Sequence, residues 1–270
     1  MSPTWDTGDR PATPPIGPFG WLLVVLRGVP LGLVCALGLI LTLLLRLIEA
    51  PLFGARRPVT PFITRAVCTL AFPIMGMRFI RTGTPEHGKL AVVANHASWL
   101  DIFALNARQR IYFVSKAEVA GWAGIGWLAR ATGTVFIKRD PKEARAQTDL
   151  FRERLGHGHQ LLFFPEGTST DTRRVLPFKS TLFAAFFQEG FREDLRIQPV
   201  TVRYTAPAGQ DPRFYGWWGD MEFGEHLLKV LAMPRQGSVE VIYHRSVAIV
   251  DFANRKDLTK ALEDTVRGAL

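Results

Sequence analysis

The pattern of apolar and polar positions changes character twice along the chain. Residues 1–18 carry Pro3, Pro11, Pro14, Pro15 and Pro18 among few large apolar side chains, which predicts a disordered leader. From Phe19 to Ile48 the residues are almost wholly apolar, with no charge between Arg27 and Arg46. About 20 apolar residues cross a bilayer, so this stretch predicts a membrane helix whose two arginines snorkel toward water. Pro30 with Gly28, Gly32 and Gly38 leaves a second geometry open, a kinked or re-entrant helix pair that dips into one leaflet. A second apolar stretch, residues 66–77, is broken by Pro73 and is too short to cross; it predicts an interfacial helix or one packed beneath the folded domain.

From residue 89 onward the period shortens and alternates. Apolar runs at 90–94, 111–115, 135–138, 160–164, 197–203 and 239–244 read as strands. Helix-length patterns fall between them at 99–107, 122–131, 141–155, 180–189, 220–232 and 255–268. This order predicts an α/β fold, a mostly parallel or mixed sheet flanked by helices, carrying an N-terminal membrane-embedded helical segment. The boundaries are a leader at 1–18, membrane-attachment helices at 19–80 and one folded domain at 81–270.

Composition sharpens the picture in three ways. The length of 270 residues suits one α/β domain plus an appendage. A net charge of +9 suits anionic lipid headgroups or an acidic carrier protein; nucleic acid is discounted, because the cations are scattered and no recognition-helix, zinc or aromatic-platform motif accompanies them. Cys35 and Cys68 belong to no Cys-x-x-Cys pair or Cys/His cluster, which argues against a disulfide framework and a metal site. The leader lacks the basic start and cleavage site of a signal peptide. Arg46, Arg56, Arg57 and Arg65 follow the apolar stretch, against Arg10 and Arg27 before or within it, which places the folded domain in the cytoplasm.

Candidate chemistry sits at strand ends. His96 and Asp101 follow the run at 90–94; five residues apart on one helix they would point in different directions. They can meet if His96 lies on the strand-to-helix turn and Asp101 on the first helical turns. The carboxylate then fixes the imidazole tautomer and makes His96 a general base. Glu166 lies between Pro165 and Gly167 after the run at 160–164, a tight turn that could hold an anion or a polar headgroup. Gly133 to Arg139 is a strand ending in two cations, and Arg139 could clamp a phosphate or carboxylate. Ser98 lies too near His96 to be its nucleophile, and no Gly-x-Ser-x-Gly elbow is present. Phe178, Trp217 and Trp218 read as core residues, while His157 and His159 read as surface residues on a Gly-rich turn.

In this order the blocks Asn95 to Asp101, Gly133 to Arg139, Phe164 to Thr168 and Ile197 to Val200 resemble the four motifs of the glycerolipid acyltransferase family, typified by 1-acylglycerol-3-phosphate acyltransferases. The resemblance spans residues 60–245. It implies a membrane-bound lysolipid O-acyltransferase needing no cofactor, with His96 and Asp101 as the catalytic dyad. Arg139, Glu166, Gly167, Thr168 and Lys179 would bind substrate. The donor would be acyl carrier protein or coenzyme A bearing a fatty acid, the acceptor a membrane lysolipid, and the location the bacterial inner membrane, catalytic domain inward. Family members that use lysophosphatidic acid usually carry arginine where Ser169 stands. The run from Phe164 through Lys179 to Phe183 looks more like the bacterial lyso-ornithine lipid acyltransferase branch, with phosphatidic acid synthesis, alone or in addition, as the alternative. A lipid esterase or thioesterase, or a silent lipid-binding protein, are the rivals.

Overall fold

The computed structural model describes residues 5–121, 125–138, 143–188 and 190–270. Its first helix, α1 (Pro18–Phe53), is 36 residues long and passes through Pro30 without a break. At about 1.5 Å per residue it is roughly 54 Å long, well beyond the ~30 Å of a bilayer core. Gly28 and Gly38, read above as places for a kink, serve instead as close contacts. Gly28 lies against Leu231, and a Cβ on Gly38 would collide with Val67. Nearly every outward position of α1 is a large exposed apolar residue, from Phe19 to Phe53.

Helix α2 (Thr60–Met75) folds back along α1 and begins earlier than its apolar run suggests. Its N-terminus has no side-chain cap of its own. Glu49 of α1 supplies one: Val59 N–H and Thr60 N–H donate to its Oε1 at 2.7 and 3.2 Å, and Thr60 Oγ1 donates to Oε2 at 2.7 Å. Those are the orphan donors every helix start presents.

The remainder is an α/β domain. Strands β1 (Arg78–Thr82), β2 (Leu90–Ala94), β3 (Ile111–Lys116), β4 (Val135–Ile137), β5 (Gln160–Phe163), β6 (Arg196–Thr205), β7 (Ser238–Tyr243) and β8 (Val247–Ala248) form one mixed sheet. Its order is β1-β7-β6-β2-β5-β3-β4, with β8 beside β6. Pairs β6/β7 and β6/β8 are antiparallel and the other described pairs parallel. β2 is central and buried at every position, which is why it reads as an unbroken apolar run.

One face of the sheet packs on α1, α2, α3 (Leu100–Asn106) and α6 (Phe223–Ala232); the other packs on α5 (Ala144–Gly156), a 3-10 helix at Ser180–Phe187 and α7 (Arg255–Gly268). Helix α4 (Ile125–Thr132) lies near the end of α1. The segment expected as a helix at 180–189 forms a 3-10 helix over Ser180–Phe187 that turns Phe183 and Phe186 into the core. His159, read as a surface residue, is only 5% exposed and stacks on Tyr112 with ring centroids 4.2 Å apart.

The leader has no helix or strand over residues 5–17, yet it rests on the body. Arg213 donates to Asp9 Oδ2 at 3.1 Å, Arg10 pairs with Asp220, and Trp5 meets Trp218 at 6.0 Å.

Candidate active site

The site forms where β2 ends. Its last ladder pair is Ala94 with Val200. Beyond it the Asn95 side chain takes over the backbone's role: its Nδ2 donates to Val202 O at 2.9 Å and Val202 N–H donates to its Oδ1 at 2.7 Å. The main chain is thereby freed to turn into α3. His96 stands on that turn and Asp101 on the first turn of α3, so the two meet although they are five residues apart. His96 Nδ1 lies 2.7 Å from Asp101 Oδ2.

Asp101 is fully buried and its carboxylate is saturated. Oδ2 also accepts Ala97 N–H at 2.8 Å and Ser98 N–H at 3.0 Å, while Oδ1 accepts the Tyr204 hydroxyl at 2.6 Å. Such a carboxylate can only accept from imidazole, so Nδ1 carries the proton and Nε2 keeps the lone pair. The His96 side chain is 21% exposed, and its ring stacks on Phe164 at 4.1 Å with 16° between planes. Phe113 extends the stack.

Glu166 holds the same turn from behind. It is 2% exposed; its Oε1 accepts His96 N–H at 2.7 Å and its Oε2 accepts Leu176 N–H at 2.6 Å. Burial pushes its carboxyl up to about 8, against the pull of these two donors. Glu166, expected to face a headgroup, thus spends both oxygens on the backbone and fixes His96. Gly167 sits at φ +76°, where its N–H donates to Phe164 O at 3.1 Å and closes the turn. Thr168 follows on the half-buried rim. Lys179 joins the turn through its backbone N–H, which donates to Pro165 O at 3.0 Å. Arg139 lies outside the described residues.

Further contacts finish the clamp. Thr170 N–H donates to His96 O at 2.9 Å, and Trp217 N–H donates to Ala97 O at 2.9 Å. Ser98 is buried, its Oγ accepting Leu100 N–H at 3.4 Å. Among the described residues no His, Cys, Asp and Glu group has the makings of a metal site.

Two members of this arrangement escape the sequence reading. Tyr204 lies on β6, where a mostly buried run makes a tyrosine look like core; burial and then Asp101 push its phenol well above the usual value. Phe164 belongs to a quoted motif, but nothing in a lone aromatic announces that it will stack on an imidazole.

Comparison with known proteins gives the chain its relatives. A family model described as Acyltransferase matches residues 78–203. The chain is 56% identical to the lyso-ornithine lipid O-acyltransferase of Rhodobacter capsulatus, over 99% of this chain and 97% of that one. It is 34% identical to the Brucella abortus protein of the same name, over 80% and 83%. The crystal structure of the 1-acyl-sn-glycerophosphate acyltransferase from Thermotoga maritima matches with a TM-score of 0.54 at 20% identity, covering 90% of this chain and 95% of that one, and so shares its fold.

Proposed function

Since the chain belongs to the Acyltransferase family, we propose that it moves a fatty acyl group from a thioester donor to the hydroxyl of lyso-ornithine lipid, with His96 as general base. His96 Nε2 takes the acceptor's hydroxyl proton as that oxygen attacks the thioester carbonyl carbon. The C–S bond of the tetrahedral adduct then breaks, and the imidazolium returns the proton to the departing thiolate. Asp101 stabilises the imidazolium while it exists. The N–H groups of His96, Ala97 and Ser98 are committed to Glu166 and Asp101, so the oxyanion is held from outside this turn.

The single observation carrying the reading is the 2.7 Å contact of His96 Nδ1 with a carboxylate that four donors surround, leaving Nε2 as the ring's free base. The names of the R. capsulatus and B. abortus relatives support the acceptor. So does Ser169, which puts a 9% exposed hydroxyl where a phosphate acceptor would want arginine. Acyl carrier protein or coenzyme A is the donor, and the +9 surface favours either polyanion.

The enzyme is membrane-attached through α1 and α2, on the cytoplasmic side of the inner membrane, where such donors are found. With both ends of α1 held on the body, charge asymmetry across that helix no longer reports orientation, and the location rests on the donor. Residues 81–270 act as the catalytic unit and 19–80 as its membrane attachment, apart from the start of β1 at Arg78, which joins the catalytic sheet.

The test is turnover by the purified full chain with acyl carrier protein and coenzyme A thioesters, offered lyso-ornithine lipid or 1-acylglycerol-3-phosphate. Diacylated ornithine lipid is expected, and His96→Ala should abolish it with the melting curve unchanged. Free fatty acid alone would mean hydrolysis, and phosphatidic acid alone would move the acceptor to the phosphate lipid.

A further inference from the structure

A cavity of about 300 Å³ opens between α2, β1 and the end of α3, with Phe72, Pro73, Met77 and Phe79 as its apolar walls and Arg108 at its rim. It lies beside edge strand β1, three places along the sheet from β2 and the His96 turn. Its surroundings combine three features.

The outer face of α2 is apolar at Phe62, Ala66, Leu70 and Pro73, all exposed and spaced as one helical stripe. The cavity mouth is at the Pro73 end of that stripe. Arg108 lines it, Arg65 and Arg81 act with Arg108 on the neighbouring Tyr243 hydroxyl, and Arg110 stands at the far, Phe62 end of the stripe. Arg108 lies over the Phe79 ring at 5.6 Å and Arg110 over Phe62 at 4.6 Å. None of the four has a carboxylate partner among the described residues. Finally, the Tyr243 hydroxyl at the end of β7 is buried without a hydrogen-bond partner among the described residues, and Arg81, Arg108 and Arg65 are the charges acting on it.

An apolar slot beside an exposed apolar stripe, with uncompensated guanidiniums close by, has the complementarity of one ligand class: an alkyl chain ending in a phosphate. Guanidinium forks match phosphate oxygens, and the slot keeps the chain from water. We propose that this cavity binds an acyl chain of an anionic phospholipid, with its phosphodiester on Arg65, Arg81 and Arg108. The site is separate from the catalytic turn and anchors the enzyme to acidic membrane.

The experiment is native mass spectrometry of the full chain released from detergent micelles containing phosphatidylglycerol or phosphatidylcholine. Phosphatidylglycerol should be retained and phosphatidylcholine should not. The double variant Arg81→Gln/Arg108→Gln changes two exposed side chains and should keep the parent's melting curve while losing roughly tenfold or more in phosphatidylglycerol retention. His96→Ala should retain the lipid like the parent, so the outcome is independent of the acyl-transfer reading. Equal retention of both lipids, or undiminished retention by the double variant, would overturn the site. Displacement of the lipid by an equal concentration of glycerol phosphate would make the ligand a soluble phosphate ester and overturn the lipid assignment.

Discussion

At the scale of single residues, the reactive turn is a matter of who accepts from whom. Asp101 receives from an imidazole, two backbone N–H groups and a phenol, so each donor restricts where the carboxylate can point. Tyr204 touches no reacting atom and positions Asp101, which in turn orients His96. Tyr204→Phe should therefore lower kcat about tenfold while leaving KM for the lysolipid nearly unchanged, as steady-state kinetics would show. A purely structural tyrosine would instead lower the melting temperature and leave kcat per folded molecule alone. The meeting of His96 and Asp101 was legible as a condition on the strand-to-helix turn, and Glu166 as a turn residue, although its oxygens go to backbone N–H groups and not to a headgroup. Tyr204 was not, because its partner lies 103 positions away and its own strand is buried. His159 carries a different consequence. Burial first, and the neighbouring Arg154 next, push its imidazole down to about 3 from an ordinary 6.5. Between those values the unfolded chain takes up a proton that the folded chain refuses, so its contribution is full above pH 6.5 and is lost as pH falls toward 3. Urea unfolding at pH 7.5 and pH 5 should show the native protein losing about 2 kcal/mol more than His159→Leu across that interval.

At the scale of elements, the central strands and the amphipathic helices were readable from period alone, and the exceptions have particular causes. β1 escaped because Arg78 and Arg81 punctuate a five-residue edge strand, which has neither the length nor the apolar run that marks β2. The 3-10 segment at Ser180–Phe187 escaped because its inward pair, Phe183 and Phe186, three residues apart, fits an α-helix and a 3-10 helix alike. In α1 the glycines predicted flexibility, but a glycine also permits close approach, and period cannot tell these uses apart. Gly38 lets α2 lie directly on α1 at Val67. Gly38→Leu should therefore wedge the two helices apart, at a cost of about 1–3 kcal/mol. A lowered melting temperature of the detergent-solubilised chain would check it. An unchanged melting temperature would mean that α2 is held by Glu49 and the core alone.

At the scale of the whole molecule, the long apolar helix poses a problem that hydropathy alone cannot solve. It is apolar enough to cross a bilayer, yet both of its ends are fastened to the same body. At the start, Asp9 and Trp5 of the leader reach the loop after β6, and Arg27 donates to the carbonyls of Leu231, Met233 and Pro234 at 2.9, 2.6 and 3.2 Å at the end of α6. At the finish, Arg57 donates to Ala131 O of α4 at 2.7 Å. A crossing helix would need one of these attachments on the far side of the membrane, which the catalytic domain cannot reach. These attachments predict a helix lying along one leaflet, its outer apolar row sunk among the acyl chains and its Arg27 face on the protein. In that pose the lysolipid would reach the His96 turn without leaving the membrane. In a background with Cys35 and Cys68 replaced, single cysteines at Thr7 and Ala55 should both react with a membrane-impermeant maleimide in inside-out vesicles. Neither should react from the outside of intact spheroplasts. Labelling of the two positions from opposite sides would mean that α1 spans, and that the Asp9 to Arg213 attachment does not form in the membrane.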